Sequence, residues 1–160
     1  MTDGTPVDPP VRGWAERPVV LVSACLVGVS CNHRGGSSRS AAVEALGADH
    51  TLLPVCPEVA GGLSIPRIAA ERQPDGRVMA ADGTDVTEAY RRGAAHAVEL
   101  AREAGAQRAV LKARSPSCGC HEIYDGSFSR VRVPGAGVTV DALRAAGVEV
   151  CSEEDLEAPG

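Results

Sequence analysis

The chain has 160 residues, a formal net charge of -5 and only four aromatic side chains: Trp14, Tyr90, Tyr124 and Phe128. That length makes one domain with a real core, which has to be built from Val, Leu, Ile and Ala. The acidic balance and the scarcity of stacking rings argue against a nucleic-acid partner, and no apolar run is long enough to span a bilayer.

Residues 1–17, rich in Pro, Gly and charge, read as a disordered leader ahead of a single domain over 18–160. The apolar run Val19 to Ala24 has the length of a strand buried on both faces. Its end, Leu21-Val22-Ser23-Ala24-Cys25, also looks like a lipoprotein cleavage site. That reading fails because the apolar core is too short and is preceded by the acidic Asp3, Asp8 and Glu16. A cytoplasmic protein is expected, and there six cysteines more often mean metal or catalysis than disulfides.

A helix is predicted over Ser40 to Leu46, a second strand over Leu52 to Val55, and a small hairpin over Glu71 to Ala81 centred on Pro74-Asp75-Gly76. The longest helix is predicted over Val86 to Ala104. Asp85 or Thr87 caps it, Ala89, Gly93, Val98 and Ala101 form its apolar stripe, and Gly105 closes it. A third strand follows at Ala109 to Leu111, a helix at Asp141 to Ala145 ending at Gly147, and a fourth strand at Val148 to Val150. This alternation predicts an α/β domain with a mainly parallel open sheet, Rossmann-like, flanked by helices.

Cysteines punctuate the scheme. Cys25 follows the first strand, Cys56 the second, Cys118 lies just beyond the third in "SPSCGC", and Cys151 ends the fourth. Parallel strands end on one edge, where open sheets bind ligands, so these distant thiols converge. Three or four converging thiols make a soft-metal site. Cys151, on an ordinary strand, reads as a small core residue. Cys25, Cys56 and Cys118 instead stand among turn formers whose N–H groups stabilise a thiolate or cluster sulfide. Zinc is the weaker alternative: Cys118-Gly119-Cys120-His121 offers two thiols and an imidazole, but Cys25 and Cys31 are too far apart for a knuckle and Cys56 stands alone. Spacing leaves the metal open.

Five blocks in order, "VLVSACLVGVSCNHRGG", "PVCPEVAGGLSIPRIAAE", "GTDVTEAYRRGA", "LKARSPSCG" and "IYDGSFS", resemble the 2-thiouracil desulfurase family over Pro18 to Glu154. The resemblance implies a [4Fe-4S] cluster held by three cysteines, here Cys25, Cys56 and Cys118, with one iron left for the substrate's sulfur. Cys31, Cys120 and Cys151 then lie outside the ligand set. The implied reaction is non-redox: a thiocarbonyl of a small thiolated pyrimidine plus water gives a carbonyl plus hydrogen sulfide. Glu58, two residues past Cys56, is the candidate base or proton shuttle, and Ser115 is favoured on the resemblance as its catalytic companion. Ser117 is a candidate to bind the ring. Lys112, the only lysine in the chain, and Arg67, in the shared "IPRIAAE" stretch with Glu71, are candidates to line the substrate site.

One departure concerns the stretch after Cys31, where the family commonly carries an aromatic and an acidic residue and this chain has Asn32-His33-Arg34. It exchanges negative for positive charge near the mouth of the site. Two other functional classes compete: a cysteine hydrolase with Cys118 as nucleophile and His121 as base, and a non-enzymatic iron–sulfur or zinc protein that senses or stores metal. The partner expected is a small thiolated base, with no nucleic acid and no membrane; homodimerisation is left open.

Overall fold

A computed structural model describes residues 17–157. All of the predicted leader except Arg17, and the last three residues, lie outside that span. Strand β1 (Val19–Ser23) leads through a 3-10 turn (Ala24–Val27) to helix α1 (Ala41–Ala45) and strand β2 (Thr51–Val55). Helix α2 (Pro57–Ala60), the hairpin β3 (Ala70–Arg72) and β4 (Val78–Ala80), and the long helix α3 (Thr87–Ala104) follow. The remainder comprises β5 (Arg108–Leu111), a second hairpin of β6 (Glu122–Tyr124) and β7 (Arg132–Pro134), α4 (Val138–Ala145), β8 (Glu149–Ser152) and α5 (Glu153–Glu157).

The four sequence-predicted strands form one parallel sheet in the order β2-β1-β5-β8. Alternate residues of each strand serve opposite faces. Leu21, Ala109, Leu111 and Val150 pack with Ala97 and Ala101 of α3 and Val140 and Leu143 of α4. Val20, Val22 and Val110 point the other way, onto Leu26, Val43 of α1 and Leu156 of α5. Burial on both faces of the central strands β1 and β5 explains their uninterrupted apolar runs. The connection from β1 travels to one side of the sheet and that from β5 to the other, so the order reverses between β1 and β5, where an open α/β sheet leaves a crevice.

Helix α3 buries Tyr90 together with Ala89, Gly93, Ala94, Ala97 and Ala101, small residues that bring its backbone close to its neighbours. The two capping candidates divide the work: Asp85 Oδ1 accepts the Thr87 N–H at 2.9 Å, while Thr87 Oγ1 accepts the Val78 N–H at 2.9 Å and ties the helix to β4. Gly105, at φ 70°, closes it. Helix α4 starts at Val138, ahead of the predicted Asp141, because its first N–H groups find partners elsewhere in the chain. Val138 donates to the Pro116 carbonyl at 3.0 Å and Thr139 to that of Ser117 at 2.9 Å, caps that no local sequence signal announces. Among the described residues, no helix is long and apolar enough to cross a membrane.

Helices α2 and α3 meet backbone to backbone. A Cβ on Gly93 would lie 1.8 Å from the Pro57 carbonyl oxygen, and one on Gly61 would lie 1.9 Å from that of Ala89. Only glycine fits at either position. Gly93→Ala should therefore destabilise the protein by about 1–3 kcal/mol, the cost of overpacking a fixed contact, read as a lower urea midpoint at unchanged slope.

Candidate functional site

At the carboxyl ends of β1, β2 and β5 lies a cavity of about 560 Å³, the size of a small-ligand site. The predicted ligands Cys25, Cys56 and Cys118 all border it, and so does Cys31. Cys25 sits in the 3-10 turn that continues β1, where its carbonyl accepts the Ser38 N–H at 2.9 Å. Cys56 is the residue before α2, and its thiol faces the Cys31 carbonyl at 3.7 Å. Cys118 hangs from the turn after β5, its N–H donated to Ser115 Oγ at 3.0 Å. All six thiols of the chain are free. Cys120 and Cys151 do not border this cavity.

The site favours neutral thiols. Burial pushes Cys25 up to about 11, against the pull of the Lys112 charge. Burial raises Cys118 to about 12, although hydrogen bonds from the Ser23 and Ser117 hydroxyls favour its thiolate and pull the other way. Cys31 rises to about 12 from burial and from its neighbour Cys56. A nucleophilic cysteine needs the opposite arrangement, a cationic surrounding that lowers its pKa. The base proposed for such chemistry is also misplaced: His121 lies outside the cavity, with Nε2 2.8 Å from Asp155 Oδ2.

Beside the thiols, Glu58 projects from α2 into a compact network. Its Oε1 accepts from Arg67 Nη2 at 2.9 Å and its Oε2 from the hydroxyl of Tyr90 on α3. Arg67 also donates to the Ser64 carbonyl at 3.0 Å and to the Cys31 carbonyl at 2.9 Å, while its buried Nε has no partner among the described residues. Tyr90 is 2 % exposed, and burial holds its phenol far above the usual range. Arg67 therefore fastens the carboxylate to the Cys31 loop, although it does border the cavity where a substrate would lie.

The serines of "SPSCGC" separate. Ser115 borders the cavity, and its Oγ accepts the N–H groups of Ser117 and Cys118, both at 3.0 Å. Both bonds use lone pairs, so its O–H remains free to donate. Ser117, expected to bind the ring, is instead fully buried with Oγ 2.7 Å from Thr139 Oγ1 and does not border the cavity. The turn is pinned from behind by α4: a Cβ on Gly137 would fall 2.3 Å from the Ser117 carbonyl. The Thr139 hydroxyl receives the Ser117 side chain on that inner side. Lys112 borders the cavity, but its Nζ is held 3.2 Å from Glu153 Oε2, and Glu153 Oε1 accepts the Ala113 N–H at 2.8 Å. The lysine is a fixed charge beside the thiols, tethered before any substrate arrives.

Other lining residues were given no role by the sequence. Tyr90 lies in the block "GTDVTEAYRRGA", and Tyr124 and Phe128 in "IYDGSFS", without any local signal of a task at the site. Tyr124 and Phe128 belong to the second hairpin and its loop, whose strands were too short and polar to register. Glu71 anchors that loop by accepting the Gly126 and Phe128 N–H groups at 2.9 and 3.1 Å. The departure noted after Cys31 bears on the site, since Asn32, His33 and Arg34 all border the cavity. There Asn32 Oδ1 accepts the N–H groups of Arg34 and Gly36 and shapes the turn.

A cup of thiols at the switch point of a parallel α/β sheet, with a carboxylate held at its wall, defines a metal-centred enzyme site rather than a disulfide framework. The profile of the 2-thiouracil desulfurase family matches residues 20–155. The chain is 38% identical over 147 residues to the uncharacterized protein YbbK of Bacillus subtilis (strain 168), covering 86% of this chain and 97% of that one. Among solved structures, a [4Fe-4S]-dependent thiouracil desulfidase, TudS (DUF523Vcz), superposes with a TM-score of 0.82 at 43% identity, over 88% of this chain and 94% of its own. The chain belongs to the 2-thiouracil desulfurase family.

In metal-free protein the raised thiol pKa values predict slow alkylation. Cys25 and Cys118 stay neutral until the pH nears about 11 and 12 respectively, so their reactivity climbs as pH rises toward those values. Iodoacetamide labelling at about pH 8, followed by mass spectrometry, should be at least tenfold slower at both than for an unperturbed thiol near 8.5.

Proposed function

We propose that the chain is a [4Fe-4S]-dependent desulfurase that converts the thiocarbonyl of 2-thiouracil, or of a related thiolated pyrimidine, to a carbonyl with release of hydrogen sulfide. The observation that carries this reading is the convergence of cysteines from three separate strand ends on one cavity walled by Glu58. Family membership and the desulfidase neighbour support the same reading.

The donor set suits an iron–sulfur cluster. It is all sulfur, Cys25 and Cys118 are buried, and binding to iron would deprotonate these two thiols that burial otherwise keeps neutral. Cys25, Cys56 and Cys118 would hold the cluster, with Lys112 supplying a compensating charge near Cys25. Cys31 would stand beside the ligands, its carbonyl taken up by Arg67. When bound, such a cluster supplies a thiophilic Lewis acid, an iron without a protein ligand, that takes up the charge of departing sulfide.

The chain's own groups provide the rest. The reaction consumes one water and balances as thiocarbonyl plus water to carbonyl plus hydrogen sulfide, with no electron acceptor. Glu58 receives the proton of the attacking water at a carboxylate oxygen. Each of its oxygens keeps a lone pair free after bonding to Arg67 and Tyr90, and those two donors hold it in one orientation. Ser115 turns its free O–H to the ring and orients it. Tyr124 and Phe128 offer apolar faces to a flat pyrimidine at the mouth.

Anaerobic protein reconstituted with iron and sulfide should contain four irons per chain and release sulfide from 2-thiouracil. Cys25→Ala, Cys56→Ala and Cys118→Ala should each lose the cluster spectrum, whereas Cys31→Ala keeps it; an iron count that falls in Cys31→Ala but not in Cys25→Ala would reassign the ligands. Glu58→Gln should keep the cluster and lower kcat by about 10²-fold or more. Tyr90→Phe, which frees one carboxylate oxygen, should lower kcat by about tenfold with the iron content intact.

A further inference from the structure

Three residues outside the cavity make a second donor set. Cys120, His121 and Asp155 offer a thiol, an imidazole nitrogen and a carboxylate oxygen, all within 4.8 Å of one another. From this geometry we infer that they form a mononuclear site for a borderline divalent transition ion such as zinc, separate from the cysteines of the main cavity. The inference goes beyond the desulfurase reading and does not depend on it.

The spacing is close to what an ion needs, with no two donors more than 4.8 Å apart. Zinc bonds of about 2.0–2.3 Å place tetrahedral ligands roughly 3.3–3.7 Å apart. His121 Nε2 now stands 2.8 Å from Asp155 Oδ2, so that pair has only to open by a fraction of an ångström, and both side chains are exposed and free to do so. Cys120 is 5% exposed. The backbone under Cys120 and His121 is tied down: the His121 carbonyl accepts the Gly135 N–H at 3.1 Å and the Cys120 carbonyl accepts from Arg144 at 3.3 Å; Asp155 Oδ2 accepts the Ser152 N–H at 2.9 Å, which leaves Oδ1 as the oxygen for the ion. A small cavity of about 70 Å³ opens beside Cys120 and His121, room for a water as fourth ligand. One thiolate and one carboxylate neutralise a divalent ion, with the thiol proton and any imidazole proton released to solvent. Sulfur, nitrogen and oxygen together suit zinc better than the hard cations calcium or magnesium. The ion would bind α5 to the turn that carries Cys118.

The test is anaerobic dialysis of the cluster-loaded protein against zinc chloride, with iron and zinc counted by mass spectrometry and the zinc edge examined by X-ray absorption. One zinc per chain is expected, with one sulfur neighbour. Its affinity should fall at least tenfold in His121→Asn and in Asp155→Asn while the iron count stays unchanged. Both positions are exposed, so loss of folding does not confuse the result, and the readout is bound zinc, independent of sulfide release. No zinc uptake, zinc that survives both substitutions, zinc without a sulfur neighbour, or zinc gained only as iron is lost would each overturn the assignment.

Discussion

Strands that run the same way must finish on the same edge, and in this chain three of those finishes carry a thiol. The register of β1 against β2 and β5 sets their ends level. The 3-10 turn after β1, the entry to α2 after β2 and the Ser115–Cys118 turn after β5 then bend three cysteines into one volume. The reversal of strand order between β1 and β5 leaves that volume open. Everything chemical about the site presupposes this alignment.

The wall of the site is held by contact rather than by area. Helix α2 has only four residues, too few to be stable by itself, and it persists because Gly61 and Gly93 let it lie directly on α3. That contact brings Glu58 under the Tyr90 hydroxyl. Arg67 completes the arrangement from the far side, and its side chain is 7% exposed against 18% for Glu58. A buried ion pair of this kind gains little stability over an apolar pair, whereas removal of either partner leaves an uncompensated charge. Its physical effect here is positional: one carboxylate in one orientation beside the thiols.

Legibility followed physical locality. The central strands β1 and β5 were readable because strands covered on both faces need unbroken Val, Leu and Ala runs, the edge strands β2 and β8 from shorter apolar runs, and α3 because its stripe and its Gly105 stop are local signals. Cys25, Cys56 and Cys118 converge because strand direction is a global rule that acts on local positions. Helix α2 and the β6–β7 hairpin were invisible, being short segments stabilised by distant partners. Ser115 and Ser117 are two residues apart in one turn, and the partner that takes the Ser117 hydroxyl inward, Thr139, lies far along the chain. Cys31 reads as a loop residue until Arg67, from beyond α2, draws its carbonyl to the cavity wall. Tyr90 sits where a helix stripe predicts core, and only the approach of Glu58 gives its hydroxyl a task.

Metal centres written into one short motif can capture their ion while most of the chain is still unstructured. The proposed ligand set here is written across β1, β2 and the turn after β5, so no segment shorter than most of the domain can present it. A nascent chain has nothing to grip iron with until the sheet has closed. On that ligand set, maturation is a loading step performed on a finished vessel.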